Sequence, residues 1–184
     1  MPAQQPCRSF RDEGLEGQLT GSSILITGTS SGIGVETAKA LFTTSATLYL
    51  TARNLDKVMH ALGDMVSSPR VHLLKLDLES LSSVRACAAA LLSKTKTLSI
   101  YIANAGVMAT PEGRTKDGFE TQFGTNYLGH FLLFLLLRPM LLAAVTPESN
   151  SRVVFLSSIA HRYSEVVFDN LNFDGAYDKW KAYG

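Results

Sequence analysis

The chain has 184 residues, 46% of them hydrophobic and 18% charged, with a formal net charge of +1. This balance fits one globular domain and excludes the basic field that nucleic acid or an anionic lipid surface would need. Cys7 and Cys87 lie far apart and the histidines are scattered, so neither a disulfide framework nor a metal site is expected, and a reducing, cytoplasmic setting fits.

The opening MPAQQPCRSFRDEGLEGQ is polar and lacks an apolar signal core, so residues 1–20 read as a flexible lead-in and 21–184 as the folded domain. SSILITG (Ser22–Gly28) is a buried strand running into a glycine-rich turn. GIGVETAKALF follows, with Ile33, Val35, Ala38 and Leu41 at helical spacing. ATLYLTA (Ala46–Ala52) is a second strand. Asn54 then caps a helix that carries Leu55, Val58, Met59, Leu62, Met65 and Val66. VHLLKL (Val71–Leu76) is a third strand, and Leu81, Val84, Ala88, Leu91 and Leu92 mark the next helix. LSIYIAN (Leu98–Asn104) is a fourth strand, a long helix runs from about Asp117 to Val145, and RVVFLS (Arg152–Ser157) is a fifth strand. Within that helix, Tyr127–Val145 is the most apolar stretch. His130, Arg138 and Pro139 interrupt it, so it reads as a helix buried in a domain and not as a membrane span, which needs about 20 predominantly apolar residues.

Strands alternating with helices imply right-handed βαβ units and a doubly wound α/β, Rossmann-like parallel sheet with helices on both faces. The expected strand order is 3-2-1-4-5, with a ligand crevice between strands 1 and 4, where the order reverses.

The first strand enters T-G-T-S-S-G-I-G, Thr27–Gly34. A glycine at the strand end allows a tight turn. Another at the helix start lets a pyrophosphate approach backbone N–H groups, and the helix N-terminus favours its charge. Thr27, Gly28, Ser30, Ser31, Gly32, Ile33 and Gly34 are therefore the cofactor-binding candidates of this loop. The second strand ends in LYLTARN, with Arg53 where an NAD site usually carries an acid. A guanidinium can grip a 2′-phosphate that a carboxylate would repel, so NADP(H) is expected over NAD(H).

Four further segments follow in order: LDL (Leu76–Leu78), NAG (Asn104–Gly106), NYLGHF (Asn126–Phe131) and VVFLSSIAHR (Val153–Arg162). With TGTSSGIG, this set resembles the short-chain dehydrogenase/reductase family over about Leu19–Gly184. Its SSIAHR and WKAYG text is similar to the retinol-dehydrogenase-like and WW-domain-oxidoreductase-like branch. The resemblance implies hydride transfer between NADP(H) and a small-molecule carbonyl/alcohol substrate, with apolar substrates suggested by the branch. It places Asp77 and Leu78 beside the adenine, and Asn104, Ala105 and Gly106 at the crevice. It makes Asn126 the anchor of a proton-relay water and Ser158 the hydrogen-bond partner of the substrate oxygen. His60, His72, His130 and His161 match no catalytic position and read as structural or surface residues.

The family's acid/base is a Tyr-x-x-x-Lys pair on one helix face. YDKWKAYG offers Tyr177 with Lys181 four residues on, and Tyr183 with only Gly184 after it. On a single helix the two tyrosines would point about 240° apart. In the branch resembled, the second tyrosine works and its lysine follows four residues later. That maps the acid/base onto Tyr183, its lysine onto position 187, beyond this sequence, and leaves Tyr177 as a decoy. On this reading the sequence stops as the catalytic helix begins, leaving strand 5 as an open edge, the long helix short of a packing neighbour, and the isolated chain weakly active or inactive. The alternatives are an NADP(H)-binding module without turnover, or a protein that docks on a full-length relative. A homodimer is the other expected assembly.

Overall fold

The computed structural model describes residues 17–175 and 177–184, so residues 1–16 of the expected lead-in lie outside the described residues. Five strands, β1 (Ser23–Thr27), β2 (Thr47–Ala52), β3 (Val71–Lys75), β4 (Ile100–Ala103) and β5 (Arg152–Phe155), form one parallel sheet in the order β3-β2-β1-β4-β5. The helices are α1 (Gly32–Phe42), α2 (Leu55–Leu62), α3 (Leu81–Lys94), α4 (Gly129–Ala143) and α5 (Lys179–Tyr183).

The period-2 geometry of β1 divides the core. Ile24 and Ile26 face one side with Leu48, Leu50, Val35, Ala38, Val58 and Leu62, under α1 and α2. Leu25 faces the other with Tyr101, Leu91, Leu133, Leu137 and Met140, under α3 and α4. With both faces covered, β1 is buried along its whole length, and this is why SILIT is an unbroken apolar-rich run and not an alternating one. Leu19 donates its N–H to the Thr44 carbonyl (3.1 Å) and packs against the first of these clusters.

Asn54 caps α2 as expected, accepting from the Lys57 N–H at 3.2 Å. The helix stops at Leu62, however, and Met65 and Val66 sit in a tighter 3₁₀ turn, Gly63–Ser67.

The long helix does not begin near Asp117. Thr115–Gly118 is a turn closed by the Gly118 N–H on the Thr115 carbonyl, and Arg114 and Glu120 form an isolated antiparallel bridge. The helical path starts beyond Glu120 and passes through a π-helical segment, Phe123–Leu128, before α4. One face of α4 is buried through His130, Leu133, Leu137, Met140 and Leu141, while Tyr127, Phe131, Leu135 and Leu142 are exposed. The segment Phe123–Ala143 is long and apolar enough to cross a membrane by length and composition.

Candidate active site

The crevice opens where β1 and β4 part. Thr27 holds the two strand ends together: its Oγ1 accepts from the N–H groups of Asn104 and Ala105, both at 3.0 Å. Asn104 answers with its side-chain amide, donating to the carbonyls of Thr27 (2.7 Å) and Gly28 (3.3 Å). The loop between β1 and α1 is packed beyond what a side chain would allow. A Cβ on Gly34 would lie 2.1 Å from the Gly28 carbonyl oxygen, and one on Gly28, whose φ is +74°, would lie 2.7 Å from the Ala105 Cα. The loop backbone is thus pressed onto β4, while Ser31, the residue before α1, makes no side-chain capping bond. The exposed start of α1 faces the crevice with unencumbered hydroxyl and backbone donors, an arrangement suited to a phosphate-bearing dinucleotide.

A cavity of about 410 Å³ runs from this loop toward the ends of β2 and β3. Gly28, Ser30, Ser31, Ile33 and Gly34 line it, together with Arg53, Asp77, Leu78, Asn104, Ala105 and Gly106. Of the loop candidates, Thr27 is fully buried beneath the wall, and Gly32 begins α1 without lining the cavity. The far end is a cluster of charges. Arg53 Nη1 lies 2.8 Å from Glu79 Oε1, and Lys116 Nζ lies 2.7 Å from Asp77 Oδ2. Burial pushes the Asp77 carboxyl up, but the hydrogen bonds from Lys116 and the Glu79 N–H, with the charges of Lys116 and Arg53, outweigh it and hold the group below its ordinary value. The cap of α3 is Ser80, which accepts from the Ser83 N–H, so Asp77 is not consumed as a helix cap.

A second cavity of about 590 Å³ shares Ile33, Asn104, Ala105, Gly106, Val107 and Leu156 with the first. Tyr183, Ser158, Asn126 and His130 line it. Ser158 accepts from the Ala160 N–H (3.2 Å), which occupies a lone pair and leaves its own O–H to donate. Asn126 is committed to the backbone: its amide accepts from the Val107 N–H and donates to the Val107 carbonyl, both at 2.8 Å.

The two tyrosines are separated by structure as well as by sequence. Tyr177 lies before α5, not on it, because Asp178 caps that helix by accepting from the N–H groups of Trp180 (2.8 Å) and Lys181 (3.1 Å). Tyr177 and Lys181 therefore do not share a helix face, and the angular offset expected for one continuous helix does not apply. Tyr177 Oη accepts from Gln122 Nε2 (3.0 Å), and its proton is shared between the Thr110 carbonyl (3.1 Å) and Glu120 Oε1 (3.2 Å). Both Gln122 and Glu120 are buried, so this hydroxyl is fully engaged in tying the segment from Thr110 to the first helical turn at Gln122 to the start of α5. Tyr183 faces the second cavity.

Two residues beside the site were not singled out from sequence. Glu79 follows LDL and partners Arg53; in a parallel sheet both residues lie just beyond the ends of the paired strands β2 and β3, and that signal was available. His130, read from sequence as structural or surface, is the former: it is buried. Its Nε2 meets the Ala105 carbonyl (2.9 Å), which can only accept, so its Nδ1 accepts from the Tyr101 hydroxyl (2.8 Å). Its spacing of four from Asn126 puts both residues on the helix face toward the 105–107 segment.

A family model for the short chain dehydrogenase matches residues 22–169. The chain is 51% identical over 160 residues to a short-chain dehydrogenase/reductase, prx1, of Penicillium roqueforti, covering 87% of this chain and 47% of that protein. It is 40% identical over 169 residues to human retinol dehydrogenase 12, covering 90% of this chain and 52% of the relative. The chain thus spans about half the length of the curated relatives it matches. Among solved structures, the Pseudomonas aeruginosa RhlG/NADP active-site complex superposes with a TM-score of 0.71 at 25% identity, over 94% of this chain and 64% of that one.

Proposed function

The chain belongs to the short chain dehydrogenase family, and from that premise we propose that the protein is an NADP(H)-dependent oxidoreductase acting on an apolar carbonyl/alcohol pair. The observation that carries this reading is that Tyr183 and Ser158 face one cavity continuous with the glycine-loop crevice. The nicotinamide, when bound, supplies or accepts the hydride. The loop from Gly28 to Gly34 and the start of α1 would receive the pyrophosphate. Arg53 would hold the 2′-phosphate, in keeping with the NADP named for the RhlG complex. Asp77 and Leu78 would flank the adenine.

The chain's own part in the chemistry is proton handling. Ser158 donates its free O–H to the substrate oxygen and orients it. Tyr183 gives its phenolic proton to that oxygen during reduction and takes it back during oxidation. A phenol ordinarily titrates near 10, so work near neutrality needs about 4 kcal/mol of preferential phenolate stabilisation. The family resemblance assigns that to a lysine at position 187. Asn126, locked on Val107, fixes the wall against which the substrate is presented. Met108, Tyr127, Phe155 and Leu156 give the cavity, whose lining is mixed polar and apolar, an apolar part that suits a substrate of the kind named for the retinol dehydrogenase relative.

In the intact native protein, Tyr183→Phe should lower turnover by about 10²-fold or more while leaving NADPH binding within about twofold. Tyr177→Phe should keep turnover within about tenfold, since its hydroxyl is structural. Persistence of turnover in Tyr183→Phe with its loss in Tyr177→Phe would reverse the assignment.

A further inference from the structure

The charge cluster at the far end of the crevice holds its cation in a specific way. Arg53 is two-thirds exposed by its side chain and is paired with Glu79, which is less than one-third exposed (66% and 29%). Glu79 is held from both sides through its backbone: its N–H donates to Asp77 Oδ1 (3.2 Å), and its carbonyl accepts from the Lys116 N–H (2.9 Å). The Glu79 backbone is therefore anchored beside Arg53, and the more exposed arginine has five donors to distribute. The second ion pair, Lys116 on Asp77, neutralises the other two charges, so the four groups sum to zero around the place where a 2′-phosphate would arrive. Such a phosphate carries close to two negative charges at pH 7. It must share or displace Arg53's existing counter-ion, and it meets repulsion from Glu79 in doing so.

We propose that Glu79 is a specificity-determining residue, a built-in competitor that holds Arg53 and sets how strongly the protein prefers a 2′-phosphorylated dinucleotide over an unphosphorylated one. This rests on the reading of Arg53 as the 2′-phosphate ligand. Specificity is a difference between two affinities, and Glu79 acts on one of them alone. An exposed ion pair of this kind is worth up to about 1 kcal/mol, so neutralising Glu79 changes affinity for the phosphorylated ligand by about two- to fivefold.

The test is calorimetric and needs no turnover. NADPH, NADH, 2′,5′-ADP and 5′-AMP are titrated into the intact protein, its Glu79→Gln variant and its Arg53→Ala variant. The Glu79→Gln side chain keeps an oxygen that can accept from Arg53, so the contact is preserved; a melting temperature within about 2 °C of the parent checks this. The expected result is that Glu79→Gln tightens NADPH and 2′,5′-ADP about two- to fivefold while NADH and 5′-AMP move by less than that, and that Arg53→Ala removes the preference. If Arg53→Ala weakens only the phosphorylated ligands while Glu79→Gln leaves them unchanged or weakens them, Glu79 is no competitor and the proposal falls while the NADP reading stands. If the parent binds the phosphorylated and unphosphorylated ligands equally and Arg53→Ala alters neither, the NADP reading falls and takes the proposal with it.

Discussion

Thr27 shows how much of the crevice depends on one oxygen. Its Oγ1 is the acceptor for two consecutive N–H groups, those of Asn104 and Ala105, at the point where β4 turns away from β1. Thr27→Val keeps the shape and removes the acceptor, leaving both donors without a partner beside a buried side chain. The expected cost is about 1–3 kcal/mol in urea unfolding, because the full desolvation penalty of an unpaired group is exposed. Thr27→Ser keeps the oxygen and should cost less than half as much. A Thr27→Val protein as stable as the parent, with the loss confined to Thr27→Ser, would mean that the methyl group, and not the acceptor, carries the effect. The residue-scale surprises have the same character. Nothing in YDKWKAYG says that Tyr177 will be sealed by Gln122, Glu120 and Thr110, because those partners are 55 to 67 residues away in sequence. Nor does Arg53 in isolation say that it will carry a counter-ion.

At the scale of elements, the strands, the span of α1 and the start of α2 are legible in the sequence, while the end of α2 and the start of the long helix are not. β1 to β5 fall within the apolar runs that suggest them, β1 and β2 being unbroken because they are buried almost throughout, and the strand order follows from alternating connections. The start of the long helix is hidden because Thr115–Glu120 is polar enough to lie on a helix face yet is tied into a turn and a bridge. The burial of His130 is equally hidden, although its spacing from Asn126 is visible. That burial has a pH signature. Desolvation lowers the His130 pKa below its ordinary 6.5, and the hydrogen bond with Ala105, which works the other way, is outweighed. Below pH 6.5 the unfolded chain therefore binds a proton that the folded chain refuses. Stability is full above 6.5 and declines as pH falls through the window beneath it, by at most about 1.4 kcal/mol per pH unit for this one group. His72, lowered by burial and by the charge of Lys94, acts with the same sign. His130→Gln should flatten the slope of unfolding free energy against pH just below 6.5 without abolishing it. An unchanged slope would show that His130 takes up its proton in the folded state.

On the scale of the whole molecule, the two ends of the sheet differ. β5 is an outer strand of the described sheet, and its apolar residues continue into a bare surface: Val154 is 44% exposed, Phe155 55%, Ile159 65% and Phe168 81%. The outer face of the long helix adds a second apolar stripe, where Tyr127 stacks on Phe123 at 5.4 Å and on Phe131 at 5.8 Å between ring centroids. An open strand edge with apolar neighbours is a template for pairing, and contiguous apolar surface of this kind favours association. The 184-residue chain alone should therefore self-associate, its weight-average mass rising with concentration in sedimentation equilibrium. The contact can be assigned to one surface or the other. Val154→Lys places a charge on the outer strand, well away from Arg53 and the glycine loop, and should shift association to at least severalfold higher concentration if β5 is the contact. Phe131→Lys should do so if the aromatic stripe is. A monomer at every concentration would show that neither surface is sticky enough to act, and that burial of the core beneath them is sufficient for the chain to stand alone.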